Sequence, residues 1–222
     1  MDKIEKKILK NKYLLILTNI LLVVFTAIGL WLMFSRRSAA SPSEFLAKGF
    51  RNFKYFTTLS NVFCGLTAFS YLLALFLAKK EKTWKILNVL KIMSSAAVGV
   101  TFIVILGFLG PIYGYSRMYR SSNLWFHLLI PIFAMIEFCF IKFDYHFKKT
   151  FYAGIPVAVY GTIYLLNNVI NGTGTYPDTN DFYGFLKWGY PVGILVFIGI
   201  LLSGWGIACL LRFIRKFFSN NQ

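Results

Sequence analysis

The stretch YLLILTNILLVVFTAIGLWLMF, Tyr13 to Phe34, runs for 22 residues without a charge. A helix rises 1.5 Å per residue and bilayer hydrocarbon is about 30 Å thick, so about 20 apolar residues cross it. The stretch is too long for the apolar core of a cleavable signal peptide, and no small-residue cleavage site directly follows it. Five further stretches meet the same test: Phe53–Leu77, Ile92–Leu109, Leu124–Ile141, Phe151–Ile170 and Tyr190–Leu211. Lipid offers no water to backbone N–H and C=O groups, so each stretch is expected to be a helix. The expected fold class is therefore all-α: a polytopic bundle of six transmembrane helices. The short connections leave room for no soluble domain, so residues 1–222 read as a single integral-membrane domain.

Composition agrees. The chain is 57% hydrophobic and only 14% charged, with a mean hydropathy of +0.62, whereas about a quarter of a soluble domain is charged. Disorder, a fibrous repeat and an ordinary soluble enzyme are excluded. A net charge of +16 would suggest nucleic acid in a soluble protein, but its placement suggests topology. One set of ends carries Lys3, Lys6, Lys7, Lys10 and Lys12, the second loop with Lys79, Lys80, Lys82, Lys85 and Lys91, then Lys142, Lys148, Lys149, Arg212, Arg215 and Lys216. The other set has only Arg36, Arg37, Lys48, Arg51, Arg117, Arg120 and Lys187, with Lys54 at a span entrance. Cytoplasmic loops collect Lys and Arg, so both termini are expected to be cytoplasmic. The expected partners are membrane lipids, not nucleic acid. Cys64, Cys139 and Cys209 fall inside apolar stretches without metal-ligand spacing, and His127 and His146 are too few for several haems. No metal site, disulfide framework or cofactor is indicated.

Polar residues are costly in a lipid-buried helix, so their positions carry information. The second span opens with Phe53-Lys54-Tyr55-Phe56-Thr57-Thr58-Leu59-Ser60-Asn61, placing Thr57 about 6 Å below Phe53. The fourth opens with Asn123-Leu124-Trp125-Phe126-His127, placing His127 about 4.5 Å below Leu124. The fifth ends with Asn167-Asn168-Val169-Ile170-Asn171, and the loop Gly172–Gly184, with Tyr176, Asp178 and Asp181, hangs over that side. Three helices thus set Thr, Ser, Asn and His at one depth in the outer half. Thr57 and Asn61, four apart, share a helix face.

Interhelical hydrogen bonding is the plain role for Thr and Asn in a span, and a bond to a backbone carbonyl is the plain role for His127. The sharper role for His127 is a general base activating a Thr hydroxyl, which is a poor nucleophile unaided. Glu137 lies about 15 Å along the helix from His127 and cannot orient it directly. A lysine pair near the basic side suits Glu137 better. Asp178, Asp181 or Asn168 are candidates to orient the imidazole. Deeper toward the cytoplasmic side the spans read as nearly all apolar.

Lys54-Tyr55-Phe56-Thr57 followed by Ser60-Asn61 resembles the Phe-Thr-x-x-Ser-Asn helix start of a bacterial six-span membrane family. That family is related to the animal androgen-induced and androgen-dependent tissue-factor-pathway-inhibitor-regulating proteins. The resemblance continues at His127-x-x-x-Pro131 with Glu137, and from Asn171-Gly172 through Tyr176-Pro177 to Phe182, following all six spans in order. The animal members are threonine hydrolases of fatty acid esters of hydroxy fatty acids. The resemblance implies Thr57 as nucleophile and His127 as the second essential residue, in the cell membrane of a bacterium. Thr58 doubles the hydroxyl, and Thr175-Tyr176-Pro177-Asp178 stands where the family more often has a second aromatic–proline pair.

The expected function is hydrolysis of a lipid ester without a cofactor. Backbone amides or Asn61 would stabilise the oxyanion, and Thr58, Ser60, Asn168, Tyr176, Asp178 and Asp181 would contact substrate. A small transporter or channel binding its cargo at the same polar cluster is the alternative from another class, and a non-catalytic scaffold is a third. The topology makes a direct prediction. A cysteine placed in the Gly172–Gly184 loop should react with an impermeant thiol reagent in intact cells, and protection there with reaction in the Lys79–Lys91 loop would invert the orientation.

Overall fold

The computed structural model describes residues 12–35, 49–77, 80–141, 146–175 and 179–220. Six helices in it are long and apolar enough to cross a membrane: α1 (Lys12–Ser35), α2 (Phe56–Phe76), α3 (Glu81–Tyr113), α4 (Ser122–Phe140), α5 (Phe147–Asn171) and α6 (Tyr190–Asn220). No strand occurs among the described residues. The fold is an all-α, multi-pass membrane bundle. Its centre is α3, with 61% of its most apolar window buried against 22% for α6. The cause is local: Ser94-Ser95-Ala96-Ala97-Val98-Gly99-Val100 is small and buried throughout, and small side chains let helix backbones approach closely. Helices α2, α4 and α6 pack directly on α3, while α1 lies across α2 and α4. At Gly65 a Cβ would come within 2.6 Å of the Thr26 hydroxyl, so the α1–α2 approach requires glycine there.

The third helix corrects the sequence expectation. It begins at Glu81, not Ile92, and Lys91, assigned to the loop, is only 1% exposed inside the bundle. Its ammonium donates to both carboxylate oxygens of Glu137 at 2.9 and 2.7 Å and to Asn19 Oδ1 at 2.7 Å. It also lies 5.4 Å from the centroid of the Tyr71 ring. Asn19 Nδ2 donates to Glu137 Oε1 at 2.7 Å, and Tyr71 donates to Asn88 at 3.0 Å. Lys91 is thus the lysine partner expected for Glu137. The half of the bundle read as nearly all apolar in fact buries Asn19, Asn88, Lys91, Ser94, Ser95 and Glu137.

Two helices change pitch. Ile105–Leu109 in α3 and Trp125–Leu129 in α4 are π-turns, and each is followed two residues later by proline, Pro111 and Pro131. A proline inside a helix has no N–H for the carbonyl four residues back, and its ring clashes with that carbonyl. Widening the preceding turn by one residue relieves the clash. Such single π-turns in α-helices concentrate at functional sites.

Removing one member of a buried ion pair strands the other charge, at a cost of about 3–5 kcal/mol. Glu137→Ala should lower the thermal midpoint in detergent steeply, while Lys91→Met combined with Glu137→Leu recovers most of the loss. An unchanged midpoint in Glu137→Ala would show that the pair contributes nothing.

Candidate functional site

A 3₁₀ turn, Gly49–Lys54, delivers the chain to the start of α2, where Tyr55 is extended (φ −88°, ψ 134°) and offers no side-chain cap. The first N–H groups of a helix lack intrahelical acceptors. Here a residue distant in sequence supplies one: the Phe56 N–H donates to the Tyr183 hydroxyl at 2.8 Å. Tyr183 comes from the loop between α5 and α6, and burial pushes its phenol up to about 12, so it stays neutral. The loop is fixed in turn. Asp181 accepts from the Tyr164 hydroxyl and from the Leu186 N–H (3.0 Å), and the Tyr183 ring packs on Phe182 and Phe185 at 4.9 and 5.0 Å. Tyr160 donates to the Lys54 carbonyl at 2.6 Å, tying α5 to the same corner.

His127 stands in the π-turn of α4 and is 5% exposed. Its Nδ1 lies 2.5 Å from the Met118 carbonyl oxygen. A carbonyl only accepts, so Nδ1 carries the proton and Nε2 of the neutral ring is the accepting nitrogen. That is the tautomer a general base needs. The orienting group is this carbonyl of the α3–α4 connection, not Asp181 or Asn168 as expected.

Two cavities meet at Thr57. The more polar one is bordered by Thr57, Thr58, Asn52, Ser122, Asn123 and His127 beside apolar Met33, Met118 and Phe126. The larger one is bordered by Thr57 and by apolar side chains of α3, α5 and α6, among them Val100, Val104, Val157, Phe197 and Ile200. Thr57, Ile105, Leu109 and Tyr183 border both. Thr57 and His127 therefore share a cavity without a direct hydrogen bond between them. Thr57 also occupies the first turn of α2, so negative charge developing beside it meets the positive end of a 21-residue helix.

The other expected residues separate into groups. Thr58 borders the same polar cavity as Thr57, one helix step of about 100° away from it. Ser60 bonds Thr101 across to α3 at 3.1 Å and borders neither cavity, so it ties helices together. The two N–H bonds of Asn61 go to the Thr57 carbonyl (2.7 Å) and the Phe126 carbonyl (2.9 Å), which removes it as an oxyanion donor. Asn168 donates to the Tyr164 and Asn180 carbonyls, away from both cavities. Asp181 holds Tyr164 and likewise borders neither cavity. Tyr176 and Asp178 lie outside the described residues. Sequence reasoning missed Met118, which acts through a main-chain oxygen common to every residue type, and Tyr183, whose only trace was an aromatic run. It also missed Asn52 and Ser122. Among the described residues no three His, Cys, Asp or Glu side chains gather as metal ligands.

Tyr183→Phe keeps the ring packing and deletes the acceptor for the Phe56 N–H. Leaving a buried donor unsatisfied costs about 1–3 kcal/mol, so a drop in thermal midpoint is expected, with faster amide exchange confined to the first turn of α2. Unaltered exchange there would remove the capping role. The chain matches no protein-family model, no curated protein and no solved structure.

Proposed function

We propose that the protein is an integral-membrane hydrolase of lipid esters, with Thr57 as nucleophile and His127 as base. The observation that carries this is the position of Thr57 on the boundary between an apolar cavity and the polar cavity that His127 borders. An acyl ester has the same division, a hydrocarbon chain on one side of its carbonyl and a polar linkage on the other. With the chain in the apolar cavity, the carbonyl carbon comes to rest beside the Thr57 hydroxyl.

The chemistry follows from the tautomer. Nε2 of His127 accepts the Thr57 proton as Oγ1 bonds to the carbonyl carbon, and the carbonyl oxygen takes the negative charge at the N-terminus of α2. Collapse breaks the ester C–O bond, and the imidazolium returns its proton to the departing alkoxide. A water, deprotonated by the same nitrogen, then attacks the acyl-threonine and releases the carboxylic acid and the free hydroxyl. Every group required belongs to the chain or to water. The asymmetry of basic residues favours a site near the outer surface, and the family resemblance favours a bacterial cell membrane and fatty acid esters of hydroxy fatty acids as substrates.

A transporter binding cargo in the polar cavity is the second reading, supported by the polar residues buried in the opposite half of the bundle. Against it, those residues are closed on one another: Lys91 and Glu137 are 1% and 2% exposed and mutually paired. Labelling separates the two. A fluorophosphonate should modify Thr57, and Thr57→Ala should abolish labelling and lower ester cleavage by at least about 10³-fold. His127→Ala should match it, because members of one catalytic unit are not additive. Thr57→Ser should keep measurable activity and Thr58→Ala most of it. Cleavage at the native rate in Thr57→Ala would move the nucleophile to Thr58, and transport lost by degrees without any adduct would favour the transporter.

A further inference from the structure

The two π-turns share a difficulty and its solution. In α4 the Ile130 N–H donates five residues back to the Trp125 carbonyl. The Phe126 carbonyl thereby loses its α-type donor, and its π-type donor would be residue 131, a proline with no N–H. In α3 the Gly110 N–H donates to the Ile105 carbonyl, and the Leu106 carbonyl faces the same gap because residue 111 is proline. At membrane depth an orphaned carbonyl is costly, since no bulk water replaces the lost donor. Each orphan is met by a side chain. The Tyr115 hydroxyl donates to Leu106 at 2.7 Å, passing so close to Gly110 that a Cβ there would lie 2.2 Å from its ring. The Asn61 amide donates to Phe126 at 2.9 Å.

The second bond differs in what it joins. The same Asn61 NH₂ donates to the Thr57 carbonyl at 2.7 Å, so one planar group spans the main chain of Thr57 and the carbonyl next to His127. Its Oδ1 is buried with no partner, so the amide is held for its donors alone. We infer that Asn61 and Pro131 form one positioning device: the proline widens the turn carrying His127 and exposes the Phe126 carbonyl, and Asn61 uses that carbonyl to fix α4 against Thr57. Asn61 touches no reacting atom in this scheme. It acts through the spacing of Thr57 and His127, and its catalytic consequence rests on the hydrolase proposal, whereas the linkage itself does not.

A double-mutant cycle tests both parts. Asn61→Ala should lower the thermal midpoint by several degrees. Pro131→Ala restores an N–H and lets Ile130 return to the Phe126 carbonyl, so adding Asn61→Ala to that background should shift the midpoint little. Equal shifts in the two backgrounds overturn the linkage. The positioning role is read from the fluorophosphonate labelling rate of folded protein. It should fall about 10²-fold in Asn61→Ala, the scale expected for misplacement by about 1 Å, and stay near wild type in Ser60→Ala, which removes the Thr101 bond and a 3.1 Å bond to the Thr57 carbonyl but leaves the Asn61 bridge to Phe126 in place. Non-additive midpoints with undiminished labelling overturn the positioning role while leaving the linkage. Wild-type protein that takes no label overturns the hydrolase proposal instead, and the midpoints still decide the linkage. Asn61→Ser, one donor short, supplies the same comparison should the alanine variant not fold.

Discussion

The bond between Lys91 and Glu137 fixes where everything else in the bundle can be. Two charges at 1% and 2% exposure are tolerable only if each is fully paired, and the lysine directs its donors at Glu137 and Asn19 and lies over the Tyr71 ring. Four helices, α1 to α4, supply those groups. Helices behave as stiff rods over this distance, so registry set at one end is carried to the other. Ten residues along α3 from Lys91 stands Thr101, and ten residues back along α4 from Glu137 stands His127, each about 15 Å away. Thr101 bonds Ser60 in the second turn of α2, and His127 borders the cavity it shares with Thr57. The polar network at one end thus sets the height at which the polar cavity opens at the other.

Proline adjusts what rigid registry leaves unset. Pro111 and Pro131 each widen the turn before them, and both widened turns contribute to the cavity walls: Ile105 and Leu109 from α3, Phe126 and His127 from α4. A regular α-helix in α4 would rotate His127 by about 100° relative to the helix below it. The pitch change brings one side chain inward while the stripe from Ile130 to Phe138 stays on the core. Its cost is a carbonyl without a donor, which is why a polar side chain appears opposite each π-turn.

This explains which parts of the site the sequence disclosed. The uncharged runs were legible because hydrocarbon forbids charge over about 20 residues, and only a charge with a buried partner escapes that rule. Lys91 escapes it, and at the edge of a lysine-rich loop it reads as loop. Depth was legible too, since 1.5 Å per residue sets Thr57 and His127 at one height. Azimuth was not. Asn168 and Asp181 share that height yet face away from the cavities, holding Tyr164, Asn180 and Leu186 instead. Asn61 illustrates the remaining gap. Its type and position were visible, but its role depends on a proline 70 residues later that strips a donor from Phe126, and such a coupling appears only when the two helices are side by side.

The boundary at Thr57 bears on why such a site belongs in a membrane at all. The larger cavity is walled mainly by valine, leucine, isoleucine and phenylalanine with tyrosine toward the loop, while the smaller adds Asn52, Ser122, Asn123 and His127 to apolar walls such as Met33, Met118 and Phe126. A ligand apolar throughout would leave the polar cavity's donors unanswered, and a polar one would forgo the apolar contacts. A chain with a single polar linkage satisfies both only when that linkage rests at the wall the cavities share. In the proposed hydrolysis, hydrophobic burial along the chain would supply the alignment energy, so the hydroxyl and the imidazole would need little affinity of their own for the ester. The same division that would recognise a lipid ester would also bring its carbonyl to the Thr57 hydroxyl, and binding and orientation would become one event.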